Sequence, residues 1–230
     1  MGRRPELLKQ TLTSLFQYHR FEHIIAINDF GDEATNLVFK EVCPHGHLVD
    51  LGKQVGHHAA VDAMYRLVKT PYIFHCEDDW LFTRSPNIHS AKQLLENPII
   101  SVVCFRDLDC AAYPERDIKR ITTENFNGVS YYLLAKIHSQ WHGYTFNPHL
   151  TKTMLWEKYA QARFAQFKRE RHISRYFRKL GLNVAMLQES SCHHLGDFQS
   201  VSQPNIKKSP STLKALRRKI KYFLLDLIQK

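Results

Sequence analysis

The chain has 230 residues, of which 43% are hydrophobic, and carries 32 Lys plus Arg against 22 Asp plus Glu, a formal charge of +10. This suits one globular domain with a real core and excludes collagen-like, disordered and disulfide-scaffold chains. The five cysteines (Cys43, Cys76, Cys104, Cys110, Cys192) are odd in number and scattered through apolar runs, which reads as reduced thiols in a cytosol-facing protein. No signal-peptide pattern is expected, and no apolar run approaches the ~18 residues of a membrane-spanning helix. The best stretch, Tyr222 to Ile228, is short and broken by Asp226.

Pro5 and Glu6 make a good first helical turn, and Leu8, Leu12, Leu15 and Phe16 recur at helical spacing, so residues 5–18 are predicted as an amphipathic helix. His23 to Asn28 is a β-branched run closed by a polar loop, Asp29 to Asp32, and reads as a buried strand. A strand over 47–51 leads into the Gly52–Gly56 loop. A helix follows over 57–68, stopped by Thr70-Pro71. Tyr72 to Cys76 is the next strand, ended by Glu77-Asp78-Asp79-Trp80; a helix over 88–95 and a strand over 99–105 come after it. Beyond 106 the pattern loosens: polar loops over 107–127, an aromatic stretch over 131–146, helices near 151–166 and 170–180, and a strand over 183–188.

Strands alternating with helices imply right-handed crossovers and an open, mostly parallel α/β sheet with helices on both faces. Ligands bind such sheets at the carboxyl ends of the strands. Here those ends carry Asn28-Asp29, Gly52-Lys53 and Glu77-Asp78-Asp79. Sheets of this kind usually open with a strand, yet Met1 to Arg4 are too few to form one, and Gly2-Arg3-Arg4-Pro5 looks like the loop that follows one. The expectation is a first strand absent from this sequence; the other reading is a fold that opens with a helix.

Three adjacent carboxylates at the mouth of an apolar strand repel one another unless a cation offsets them. A hard divalent ion would do so, since Mg²⁺ uses one or two carboxylates together with substrate phosphates. The alternative is a solvated acidic turn. Zinc is a weaker reading of Cys43-Pro44-His45-Gly46-His47 and Cys192-His193-His194, because neither has paired structural-site spacing.

The segment from Thr70 to Trp80, with the strands, loops and helix before it, resembles the nucleotide-sugar half of a GT-A glycosyltransferase, most closely the bacterial family 2 enzymes. The resemblance covers about residues 5–106 well and the rest more loosely. It implies a nucleotide-sugar half over 1–106, an acceptor and catalytic half over 107–205 and a tail over 206–230. It implies a DXD-type site in which Asp79 binds Mn²⁺ or Mg²⁺ and Asp78 and Glu77 support the metal and diphosphate. His193 or His194 would be a further ligand. Asp29, with Asp32 beside it, would hold base or ribose. Lys53 and Asp62 fall where the family contacts nucleotide or sugar. Glu170, in Lys168-Arg169-Glu170-Arg171, matches the acidic residue of the second motif and would be the base, with Glu157 and Glu189 as fallbacks; the family's Glu-Asp is here Glu-Arg.

The implied activity is inverting transfer of a sugar, from a UDP-sugar by preference, to a glycan or lipid-linked glycan. Trp80 and Trp141 are candidates for an aromatic acceptor platform. The last twenty residues concentrate Lys and Arg opposite a face of Leu213, Leu216, Ile220, Phe223, Leu224 and Leu227. That pattern over 211–229 suits an anchor on the anionic inner face of a cytoplasmic membrane, or docking onto a partner. Nucleic acid is not an expected partner, because the basic residues crowd a detachable tail. The rival readings are a nucleotidyltransferase on a related sheet and a basic nucleic-acid-binding protein.

Overall fold

The computed structural model of the protein describes residues 1–108, 115–135, 137 and 142–195. Trp141 and the whole basic tail lie outside these residues. Helix α1 (Pro5–Tyr18) matches its predicted limits and buries Leu8 and Leu15; full burial of a leucine is worth about 1.5–3 kcal/mol. Strand β1 (Ile25–Asn28), helix α2 (Glu33–Val42), strand β2 (His47–Asp50), helix α3 (His57–Tyr65) and strand β3 (Tyr72–His75) follow. Helix α2 escaped the sequence reading. Its start is set by Asp32, whose side chain accepts the Thr35 amide, a normal N-cap.

Next come β4 (Trp80–Phe82), α4 (Ile88–Leu94), β5 (Ile100–Cys104), the short α5 (Glu115–Ile118) and the hairpin β6 (Thr122–Phe126) with β7 (Val129–Leu133). Strand β8 (His149–Lys152), a π-helical turn at Leu155–Tyr159, a 3₁₀ turn at Phe164–Gln166, α6 (Glu170–Lys179), β9 (Asn183–Leu187) and β10 (Cys192–His194) complete the described chain. The helix expected over 151–166 is therefore corrected: its first residues are a strand. Thr151 and Thr153 are β-branched, and β8 gains partners on both sides, β3 and β5, which outweighs a weak helical period.

The α/β class holds. A six-stranded sheet has the order β3-β8-β5-β9-β7-β6, with separate two-stranded sheets β1-β2 and β10-β4. Strands β3, β5, β9 and β6 point the same way, while β8 and β7 are threaded antiparallel among them. The core divides by face. Val61, Tyr65 and Ile73 join Phe146, Phe164 and Ile173 on one side; Leu15 joins Trp80, Phe82 and Phe105 on the other. The Thr11 and Ser14 hydroxyls of α1 accept the Trp80 and Phe82 amides at 2.9 and 3.1 Å, which seals the free edge of β4. Among the described residues, Cys43, Cys76 and Cys104 are free thiols.

Candidate active site

The acidic trio turns the chain from β3 into β4. Strand β10 pairs antiparallel with β4 in the register His194↔Trp80 and His193↔Leu81. Successive strand residues face opposite sides, so one imidazole of the pair can reach the trio. It is His194, whose Nε2 lies 3.2 Å from Asp79 Oδ2. The Leu195 amide donates to the Asp79 carbonyl at 2.8 Å and fixes this approach. His193 points away, which corrects the expectation that either histidine would serve.

Arg4, which the sequence reading left without a role, bridges the two aspartates. Its Nη1 donates to Asp79 Oδ2 at 2.7 Å and its Nη2 to Asp78 Oδ1, while the Gly2 amide donates to Asp78 Oδ2 at 3.2 Å. Burial by itself would raise the Asp79 carboxyl; the His194 hydrogen bond and the Arg4 charge overcome it and hold Asp79 below the usual carboxylate range. One guanidinium thus faces two carboxylates. Asp79 Oδ1 is buried and has no hydrogen-bond partner. An orphaned anionic oxygen beside an imidazole nitrogen is a donor set that fits Mn²⁺ or Mg²⁺. Among the described residues no three metal-capable side chains gather, so such an ion would depend on water and substrate oxygens for its remaining ligands.

Glu77 is the third carboxylate, and burial first, then the charges of Glu170, Asp79 and Asp78, push its pKa up to about 8. Its Oε1 lies 4.0 Å from His57 Nε2. Glu170 stands at the first position of α6 and lines the same cleft as Glu77, Asp78, Asp79 and His194. Burial raises its pKa, partly offset by a hydrogen bond from Thr145 and the charge of His58. His58 is itself steered by the Phe167 carbonyl, 2.7 Å from its Nδ1. The trio at the head of one strand and the carboxylate at the head of a distant helix therefore face one crevice.

Asp29 also borders the crevice, buried, with Oδ1 accepting the Val55 amide at 2.7 Å. This bond ties the loop after β1 to the loop after β2. Gly31, with φ +67°, brings the same loops into backbone contact: a Cβ there would stand 2.8 Å from the Gly52 carbonyl carbon.

Four expectations change. Asp32 is the α2 cap and also accepts the Arg3 amide at 2.8 Å, outside the crevice. Lys53 is exposed, and its neighbour Gln54 reaches the crevice instead. Asp62 is 2% exposed and turned inward, accepting from Trp156 Nε1, the Phe164 amide and the Ala165 amide at 2.7–2.8 Å. Trp80 is core, its ring centroid 5.0 Å from that of His194. The fallback bases fare no better: Glu157 and Glu189 are exposed and away from the crevice. Arg4, Thr145, His57 and His58 are what sequence reasoning missed. A signal existed for the histidines, since they immediately follow the loop at the carboxyl end of β2.

No family model matches the chain, and no curated protein matches its sequence. In structure it is similar to the mannosyltransferase PcManGT from Pyrobaculum calidifontis, solved in complex with GDP-Man and Mn²⁺, with a TM-score of 0.60 and 13% identity over 100% of this chain and 62% of that one. It is similar as well to S. aureus TarS 1-349, with a TM-score of 0.60 and 10% identity over 85% and 58% of the two chains. A longer S. aureus TarS structure gives 0.58 and 10% over 84% and 35%. The chain spans less than two thirds of each neighbour's length. At such identities the likeness bears on architecture, and the architecture of this chain is the fold of these glycosyltransferases.

Proposed function

We propose that the protein is a metal-dependent, inverting glycosyltransferase that moves a sugar from a nucleoside diphosphate donor to a hydroxyl of a glycan or lipid-linked glycan. The observation that carries this reading is the unpartnered Asp79 Oδ1 beside His194, in a crevice shared with Glu170. The neighbour solved with GDP-Man and Mn²⁺ supports a nucleotide sugar and a divalent ion as its ligands.

Asp79 and His194 would hold the ion, which when bound offsets charge on the departing diphosphate. Asp29 would hold the base or ribose, and Arg4 would be a second cation for the diphosphate. Glu170, kept above the ordinary carboxylate range by burial, is suited to take the acceptor proton near neutral pH. The acceptor oxygen bonds to the anomeric carbon as the bond to the diphosphate breaks. The proton passes to Glu170, and the nucleoside diphosphate leaves with the bonding pair. Attack from the side opposite the leaving group inverts the centre.

A uridine donor remains our preferred assignment from the sequence, with guanosine the rival to screen. Acceptor delivery at an anionic membrane through residues 211–229, in bacterial polysaccharide synthesis, is part of the same proposal. No described helix is long and apolar enough to cross a membrane.

The test is a thermal-shift screen of nucleoside diphosphates with and without Mn²⁺, followed by transfer assays from the sugars of the best binder. A ligand that binds only the folded form raises its melting point. We expect one nucleoside diphosphate to stabilise the protein only with metal, and Asp79→Ala to lose both this shift and transfer. Transfer that survives Asp79→Ala or a chelator would overturn the metal-dependent reading.

A further inference from the structure

The crevice has two walls of different charge. On one, Glu77, Asp78 and Asp79 stand with Arg4, whose guanidinium is engaged by the two aspartates. On the other, Glu170 is flanked in sequence by Arg169 and Arg171, and all three line the crevice. The Glu170 carboxylate has partners elsewhere, in Thr145 and His58. Among the described residues, no acidic side chain forms an ion pair with Lys168, Arg169 or Arg171. This wall is cationic and is left so by the fold.

Two observations point to an anion that belongs there. Arg171 Nε is buried and has no hydrogen-bond partner. Leaving a buried donor of a charged group unmet costs more than leaving a neutral one, and a guanidinium meets a planar or tetrahedral oxyanion with two parallel N–H bonds. The second observation is the field around His172, the next residue of α6. Its pKa is lowered by burial first and then by the charges of Arg175, Arg171, Arg169 and Lys168. Four cations thus act on one ring. Arg175 sits one turn below Arg171, its Nε donating to the Arg171 carbonyl at 3.3 Å.

Glu170 lies in the middle of this cluster, so a molecule that brings a hydroxyl to Glu170 also brings its neighbouring groups against Arg169 and Arg171. The donor diphosphate is assigned to the Asp79 and His194 side, which leaves the acceptor to supply the anion. A phosphate monoester carries about −1.5 to −2 charge at pH 7 and three acceptor oxygens, enough for two guanidinium groups. A carboxylate carries one charge and serves one.

We propose that the acceptor bears a phosphate ester beside the hydroxyl that is glycosylated, and that Arg169 and Arg171 hold this phosphate while Glu170 takes the proton. This rests on the transferase reading and narrows its acceptor class. The phosphate positions the hydroxyl and is not consumed. A glycan phosphate or a phospholipid can carry it, with the same chemistry at the arginines.

The test is calorimetric titration of the protein with glucose 6-phosphate, glucuronate and glucose, in chelator so that no metal attracts the phosphate. Glucose 6-phosphate should bind at least about tenfold more tightly than the other two, and Arg171→Gln and Arg169→Gln should each weaken it at least about tenfold. Arg163→Gln, at an exposed arginine outside the crevice, should have no effect. Equal binding of the three sugars, or binding indifferent to both crevice substitutions, overturns the proposal. The two variants should also keep the parent's metal-dependent shift with a nucleoside diphosphate; its loss would place the arginines on the donor and overturn the acceptor assignment. If the parent itself shows no such shift, the transferase reading fails, while the titration still decides whether these arginines hold a phosphate ester. Sedimentation with phosphatidate vesicles separates the carriers: weakening by both substitutions assigns the phosphate to a lipid, and unchanged sedimentation assigns it to a water-soluble glycan.

Discussion

His194 Nε2 lies 3.2 Å from Asp79 Oδ2, although the two residues come from segments far apart in the chain and meet only because β10 pairs with β4. The imidazole has a neighbour, Trp80, whose ring holds it from the core side. This pair is the basis of the first prediction. His194→Ala should weaken Mn²⁺ binding, read by calorimetry or electron paramagnetic resonance titration, by at least the roughly 10–100-fold that loss of a supporting residue costs a metal site. His193→Ala should leave the titration unchanged, because strand alternation turns that ring to the other face. Equal effects of the two substitutions would mean that the register does not select the ligand.

Glu170 supplies the second prediction. Replacing a general base typically costs about 100- to 10,000-fold in turnover, so Glu170→Gln should lower kcat within that range while leaving the metal-dependent nucleotide shift intact. The pH dependence follows from the direction of its pKa. Burial raises Glu170, so the acid limb set by the proposed base should lie at higher pH than an ordinary glutamate would give. The rate of the parent protein should increase through that limb, and the Glu170→Gln rate should be flat across it. Thr145→Val removes a hydrogen bond that favours the charged form, so it should move the limb to higher pH.

Much of the frame was legible because it depends on short-range signals. Pro5 with the Leu8, Leu12 and Leu15 spacing fixes α1, and an apolar strand running into three carboxylates fixes both β3 and the edge of the sheet where chemistry collects. Strands β4 and β10 were not legible: they are three residues each and exist through their mutual pairing, which no local pattern announces. Asp62 shows the opposite failure. A carboxylate at a plausible helix position carries no mark of which way it points, and here the answer is set by Trp156, Phe164 and Ala165, about a hundred residues away in sequence. Arg4 was visible as a residue, but its role arises from the fold of Gly2–Pro5 over the trio.

Glu77 gives a stability prediction with a definite sign. Its pKa in the folded protein is about 8, against an ordinary 4.5. Below pH 4.5 both folded and unfolded chains carry the proton, and the group costs nothing. As pH rises from 4.5 to 8 the unfolded chain ionises first, so the folded state loses stability through that window. In metal-free buffer, Glu77→Gln should therefore melt above the parent at pH 7–8, with the gap closing as pH falls toward 4.5. A gap that is constant with pH would show that Glu77 is ionised in the folded protein.

Asp62 separates a structural carboxylate from those proposed to act in the crevice. It is buried and accepts three hydrogen bonds that tie the turns over 155–166 to α3. Asp62→Ala would leave the Trp156 indole N–H and two backbone amides without acceptors, each an unmet buried donor costing about 1–3 kcal/mol. Relaxation and water entry reduce the simple sum, so a loss of about 3–5 kcal/mol is expected, read as a lower denaturant midpoint with the slope unchanged. Asp62→Asn keeps an acceptor and should recover part of that loss. Because the side chain faces away from the crevice, the surviving folded fraction should bind nucleotide and metal with the parent affinity. A selective loss of nucleotide affinity in Asp62→Asn, at parental stability, would return Asp62 to the binding site.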